Sequence, residues 1–252
     1  ERYEDYLERD GRDMNYGVEA YLNIIETTLK ERMRLSLGNQ LFSEPQLQEA
    51  TQQEQERHLN GMMFARFLWR QQFAFSQFYA DHLPRYAKGP LRYLEICGDQ
   101  WVWVEDTMDA LGWVGLYDVL ELNEGTSELA HEYMPGRPIN FLSHDLDAFR
   151  EAAEYDLIVI GQVLGRMSDP RQCLERLKDL LHDDGTIFFS ATVNAPVRSR
   201  RGFSSLHILK ELILESGLKV EQDLTMVSDD LPMDRVEPLK AAISYGAFLK
   251  KA

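Results

Sequence analysis

Cysteine, basic residues and long apolar runs are all scarce in this 252-residue chain, and each shortage narrows what it can be. Only Cys97 and Cys173 are present, so no disulfide framework can staple the fold and a reducing cytoplasm is the expected compartment. Lys and Arg total 27 against 42 Asp and Glu, a net charge of −15. So acidic a chain repels nucleic acid and anionic membranes, and neither is expected as a general partner. No apolar run approaches the ~20 residues that a membrane helix requires. The opening residues, ERYEDYLERD, are charged and unlike a secretory signal. The histidines (His58, His82, His131, His144, His182 and His207) show no metal-ligand spacing, so no metal is expected. Internal repeats and low-complexity segments are also missing. What is present is 44% hydrophobic residues, enough to bury a full core.

Two regions follow from the patterning. Residues 1–90 read as helical. Val18, Tyr21, Leu22, Ile25, Leu29 and Met33 recur at steps of mostly three and four, an amphipathic helix broken by Gly38. Ser43-Glu-Pro-Gln resembles a second helix start, with Pro45 near the first turn. Residues 61–80 carry Phe64, Phe67, Trp69, Phe73, Phe75, Phe78 and Tyr79 on more than one helical face. The pattern predicts a helix buried on several sides, by its own chain, a substrate or a partner, and makes a homodimer or heteromeric partner an expectation.

Residues 91–252 alternate strand and helix. Strands are predicted over 92–96, 116–122, 139–142, 155–160, 186–191, 218–224 and 241–249, and helices over 103–111, 127–133, 170–181 and 204–216. Asp184-Gly185 and Ser216-Gly217 are turn or helix-end signals. The fold class is α/β, a Rossmann-like, mostly parallel seven-stranded sheet with its last strand antiparallel, beside an N-terminal helical cap. Within it, LRYLEICGDQWVW reads as a buried strand, a tight loop and a helix, and the next strand ends on Glu121. That order is how α/β proteins build a nucleotide pocket.

Residues 91–250 resemble a class I S-adenosylmethionine-dependent methyltransferase. LEICGDQ matches the family's first strand and glycine loop, VLELN the strand ending on a ribose-binding acid, and SHDLD the segment that meets the adenine. YDLIVIGQVLGRMSDP resembles the fourth strand and its loop, LKDLLHDDGTIFFSATVNAP the helix and fifth strand, and YGAFLKK the seventh strand. The resemblance implies S-adenosylmethionine as cofactor and residues 1–90 as the cap placed over a small-molecule substrate. It departs from the family pattern where the three loop glycines become Cys97, Asp99 and Trp101, and where an acid and a histidine after the fourth strand become Gln162 and Arg166.

Cofactor contacts are expected at Glu95, Cys97, Gly98, Asp99, Gln100, Glu121, Leu122, Asp145, Leu146 and Gln162. Glu121 can accept two hydrogen bonds from a ribose diol, the plainer alternative being a solvated acid at a strand end. Asp145 meets the adenine or caps a helix. Cys97 fits a small buried side chain better than a nucleophile, since no base accompanies it. Substrate contacts are expected at Trp69, Tyr79, Arg166, Asn194, Arg198 and Arg201. The RSRR cluster, basic in an acidic chain, points to an anionic substrate such as a carboxylate or phosphate; a solvated loop is the alternative. The aromatic residues Trp69 and Tyr79 line the cavity or belong to the core.

Two functions are therefore in play. One is a methyltransferase acting on a small, anionic molecule by in-line transfer, which needs alignment more than a strong base. The other is a methyltransferase-like scaffold or repurposed enzyme that no longer binds the cofactor, the reading that the lost loop glycines favour. A dinucleotide-dependent oxidoreductase is the weaker third, for want of a full glycine fingerprint.

Overall fold

The computed structural model describes residues 2–36, 51–88, 91–97, 102–112, 115–121, 126–143, 146, 149, 155–194, 203–227 and 241–252. The helices are α1 (Arg2–Arg9), α2 (Met14–Ser36), α3 (Gln52–Leu68), α4 (Arg70–Tyr86), α5 (Val102–Leu111), α6 (Thr126–Tyr133), α7 (Pro170–Leu180) and α8 (Leu206–Glu215). The strands are β1 (Leu91–Cys97), β2 (Gly115–Glu121), β3 (Ile139–Ser143), β4 (Tyr155–Gly161), β5 (Leu181–Val193), β6 (Leu218–Val227) and β7 (Ile243–Lys251). They form two compact units: Glu1–Phe73 with Glu124–Arg137, and Ala74–Asn123 with Pro138–Ala252.

The first unit is helical. Gly17 and Gly61 let α2 meet its neighbours closely: a Cβ on Gly61 would fall 2.6 Å from the Ala20 carbonyl oxygen, and one on Gly17 would meet the Tyr3 ring and Phe64. Buried Tyr3, Tyr6, Leu7 and Met63 form its core. Between β2 and β3, α6 joins this unit, where Tyr133 meets Tyr6 edge-on at 5.5 Å and the Glu132 carbonyl accepts a hydrogen bond from Arg9 at 3.1 Å. The aromatic run does not form one helix. Trp69 adopts an extended backbone (φ −85°, ψ 114°) that ends α3, and its indole N–H reaches the Tyr21 hydroxyl at 3.2 Å. The predicted burial on several sides is met only in part: Phe75, Phe78 and Tyr79 are buried, whereas Phe67 and Phe73 are exposed. Helix α3 starts at Thr51, which forms a reciprocal capping box with Glu54. The predicted start at Ser43 and the break at Gly38 lie outside the described residues.

The second unit is a seven-stranded sheet of order β3-β2-β1-β4-β5-β7-β6. The pairs β1–β2, β1–β4, β2–β3 and β4–β5 are parallel, and β7 lies antiparallel between β5 and β6. All seven predicted strands occur. The Asp184-Gly185 signal does not break the chain; it falls inside β5, whose pairing with β4 shifts register between Tyr155 and Leu157. Residues alternate between the faces, as strand geometry requires. Ile187, Phe189 and Ala191 join Leu174 and Leu177 of α7 and Leu209 and Ile213 of α8 in one core. On the other face Phe188 meets Tyr79 at 4.6 Å and Trp103 at 4.9 Å between ring centroids, and Phe248 stacks on Tyr86 at 4.5 Å. Helices α4 and α5 therefore cover one face and α7 and α8 the other. Among the described residues, no helix is long and apolar enough to cross a membrane.

Candidate cofactor and substrate site

Strand order locates the site. From β1 the chain crosses to β2 and β3 on one side, and from β4 it crosses to β5 on the other. The adjacent pair β1–β4 is thus the point where the winding reverses, and in open α/β sheets ligands enter the crevice outside the carboxyl ends at that point. Register aligns the strand ends there. Cys97 of β1 stands beside Glu121 of β2, Glu121 beside Ser143 of β3, and Gly161 of β4 beside Ser190 of β5. An acid is therefore carried at the carboxyl edge, one strand away from the reversal.

The two strands that leave this edge do so through left-handed residues. Gln162 has φ 57° and Asn194 φ 56°, the only non-glycine positive values among the described residues. Such conformations are uncommon for residues with a Cβ and gather at ligand sites. Both are pinned. The Gln162 N–H donates to the Ser190 carbonyl at 2.9 Å, and its side-chain oxygen accepts from the Thr192 hydroxyl at 2.9 Å, which presents the amide nitrogen as a donor. The Asn194 N–H donates to the Phe203 carbonyl at 2.9 Å, and its side-chain nitrogen to that of Ala241 at 3.4 Å.

Beneath the edge lies a buried polar network. Glu95 is 1% exposed. One of its oxygens accepts the Tyr93 hydroxyl at 2.8 Å and the Val104 backbone N–H at 2.7 Å. Val104 lies in the first turn of α5, whose N–H groups lack partners within the helix, so the carboxylate ties the strand to the helix that follows the loop. The Thr107 hydroxyl gives its one hydrogen to the Trp103 carbonyl, so at the 2.6 Å contact with Tyr79 the tyrosine is the donor. Burial pushes the Tyr79 and Tyr93 hydroxyls well above the ordinary tyrosine range, and the Glu95 charge adds to both shifts. Gly161 is required by close approach: a Cβ there would fall 2.6 Å from the indole nitrogen of Trp103.

Of the residues predicted for the site, the structure brings the backbones of Cys97 and Glu121 together with Gln162 and Asn194 at one sheet edge. Glu95 is committed to holding α5. Leu146 is buried in the core with Leu120 and Phe149. Tyr79 is 0% exposed within the aromatic cluster, because α4 lays it on Phe188 and Phe248, so its place is the core. Trp69 belongs to the helical unit. Gly98, Asp99, Gln100, Leu122, Asp145, Arg198 and Arg201 lie outside the described residues, as do the side chains of Cys97, Glu121 and Arg166. Thr192 was not anticipated. Thr192 carries a legible signal, the alternation along SATVN that places a polar side chain one residue before the strand's last position. Among the described residues no group of three or more His, Cys, Asp or Glu is arranged to hold a metal ion.

An open sheet of this order, covered by helices on both faces, defines a Rossmann-like α/β protein. Residues 68–217 match the sequence model of a methyltransferase domain, and the chain belongs to that family. No curated protein matches the sequence at a significant level. Solved structures share the fold at low identity. A protein proposed as a sarcosine dimethylglycine methyltransferase from Galdieria sulphuraria aligns with TM-score 0.56 and 11% identity, over 72% of this chain and 86% of its own. The 4+2 cyclase SpnF gives 0.54 and 12%, over 71% and 82%. Coclaurine N-methyltransferase bound to N-methylheliamine and SAH gives 0.52 and 11%, over 71% and 70%.

Proposed function

We propose that this chain transfers a methyl group from S-adenosylmethionine to a small, anionic molecule in the cytoplasm. The observation that carries the reading is the alignment of Glu121 with Cys97 beside the β1–β4 reversal, in a chain of the methyltransferase domain family. The residues at this edge fit an adenosyl group. An acid at the end of β2 would supply the paired acceptor that a ribose diol needs, and Gln162, following β4 on the other side of β1, offers a fixed amide donor. When bound, the cofactor supplies an electrophilic methyl group on a sulfonium.

The chain's own residues then have three tasks. Glu121 would hold the ribose. Gln162 and Asn194, locked by their left-handed backbones and cross-strand hydrogen bonds, orient polar groups at the edge without rearranging. Arg166, Arg198 and Arg201 draw in an anionic substrate, because a guanidinium pairs with carboxylate or phosphate in a bidentate fork. Positioning a carboxylate in line requires no strong base, since it carries its lone pair at neutral pH, and an amine needs only to give up its proton before transfer.

The test is calorimetry of the purified protein with S-adenosylmethionine and S-adenosylhomocysteine, with Glu121→Ala as the variant. Micromolar binding, weakened at least about tenfold (1.4 kcal/mol) by the substitution, is the expected result. The replacement of loop glycines by Cys97, Asp99 and Trp101 favours the second reading, a scaffold that has given up the cofactor. That reading predicts no heat and no gain in melting temperature at millimolar cofactor.

A further inference from the structure

Helix α2 is amphipathic twice over. One face, through Ala20, Ile24 and the bare surface of Gly17, packs within the helical unit. The other carries Met14, Val18, Leu22, Leu29 and Met33, 40%, 38%, 56%, 53% and 61% exposed, with half-buried Ile25 between them. At 100° per residue these six fall on a stripe about 100° wide. A row of large apolar side chains this exposed marks an interaction surface rather than ordinary scatter.

The spacing of the stripe selects the occupant. Its steps are 4, 4, 3, 4 and 4, and read the same in both directions. When a second α2 is laid antiparallel about a two-fold axis between Asn23 and Ile24, Met14 faces Met33, Val18 faces Leu29 and Leu22 faces Ile25. Every apolar position then meets an apolar position, the self-complementarity that a two-fold interface demands. The flanking charge neither favours nor opposes the seam: Glu19, Glu26 and Lys30 lie along one side of the stripe, and the antiparallel arrangement brings Glu19 of one copy equally near Lys30 and Glu26 of the other. Lys30 pairs with Glu26 within its own helix at 2.5 Å, between groups 70% and 62% exposed, a pair too solvated to oppose a new partner.

We propose that this chain self-associates into a two-fold dimer through an antiparallel α2–α2 seam. The inference is independent of the cofactor reading, because none of these residues belongs to the sheet edge.

The test is sedimentation of the full chain at tens of micromolar, with cysteine cross-linking to fix the orientation. The wild type is expected as a reversible dimer. Leu22→Glu is expected to weaken it at least about a hundredfold, since two-fold symmetry counts each substitution twice. Leu22 is exposed, so its replacement leaves the fold unchanged, and far-ultraviolet circular dichroism checks that it does. For orientation, oxidised Val18→Cys and Leu29→Cys proteins are each expected to stay uncrosslinked alone and to crosslink when mixed, with the wild type as the blank. A monomeric wild type overturns the proposal and leaves the stripe to residues 37–50 of the same chain or to a different protein. Crosslinking of Val18→Cys with itself overturns the antiparallel seam.

Discussion

Removing the Glu95 carboxylate should uncouple β1 from α5. In Glu95→Ala two buried donors, the Tyr93 hydroxyl and the Val104 N–H, lose the oxygen that both now share at 2.8 and 2.7 Å. Water cannot replace it readily, because the site is 1% exposed. Each stranded donor costs about 1–3 kcal/mol, so the loss should total about 2–6 kcal/mol. At roughly 2–4 °C per kcal/mol for a chain of this size, the melting temperature should fall by about 5–20 °C. Tyr93→Phe removes one donor and leaves the helix tie, so it should cost about 1–3 kcal/mol, and the two substitutions should be non-additive because they share a bond. Urea titration followed by tryptophan fluorescence reads both, since Trp103 sits one residue before the tied amide. A loss below about 1 kcal/mol for Glu95→Ala would mean that the carboxylate is an accessible ligand contact and not the anchor of α5.

Gly161→Ala should destabilise the sheet unit by about 1–3 kcal/mol through overpacking, because its new methyl group falls 2.6 Å from the Trp103 ring; a shift in urea midpoint reads it, and no change would mean that the indole yields freely. Thr51→Ala should cost about 1 kcal/mol by opening the reciprocal cap on α3, seen as reduced helical signal before the main transition. Stability should fall as pH rises past about 10. Tyr79 and Tyr93 have raised values in the folded state, so above the ordinary tyrosine value the unfolded chain has lost protons that the folded chain keeps. Their contribution is complete below that pH and vanishes as pH climbs towards the folded values, at about 1.4 kcal/mol per pH unit for each tyrosine. Denaturant titrations between neutral pH and pH 11 check the sign, and a flat profile contradicts it.

The sheet was legible because its signals are local. Buried strands such as YLEI and DLIVI are short apolar runs, and the helices between them start at Asp169-Pro170 and Ser205, where caps do form. The break at Trp69 was hidden because no glycine or proline marks it; the chain turns there around a tertiary contact with Tyr21. The strand through Asp184-Gly185 was hidden for a related reason, since pairing with β4 overrides a strong turn signal. At the site, the sequence revealed the positions that line up on the edge, Cys97 with Glu121, because strand ends can be counted. It did not reveal which side chains are spent on the fold. Glu95 and Tyr79 have the residue types of a binding site, and only packing shows that one caps a helix and the other fills an aromatic core.

The proposed function requires the β1–β4 edge to hold an adenosyl cofactor through Glu121. Isothermal titration of the wild type and Glu121→Ala with S-adenosylhomocysteine tests it most directly. Saturable micromolar binding that falls at least about tenfold in the variant is the predicted result. No binding by the wild type, or equal binding by both proteins, would contradict it.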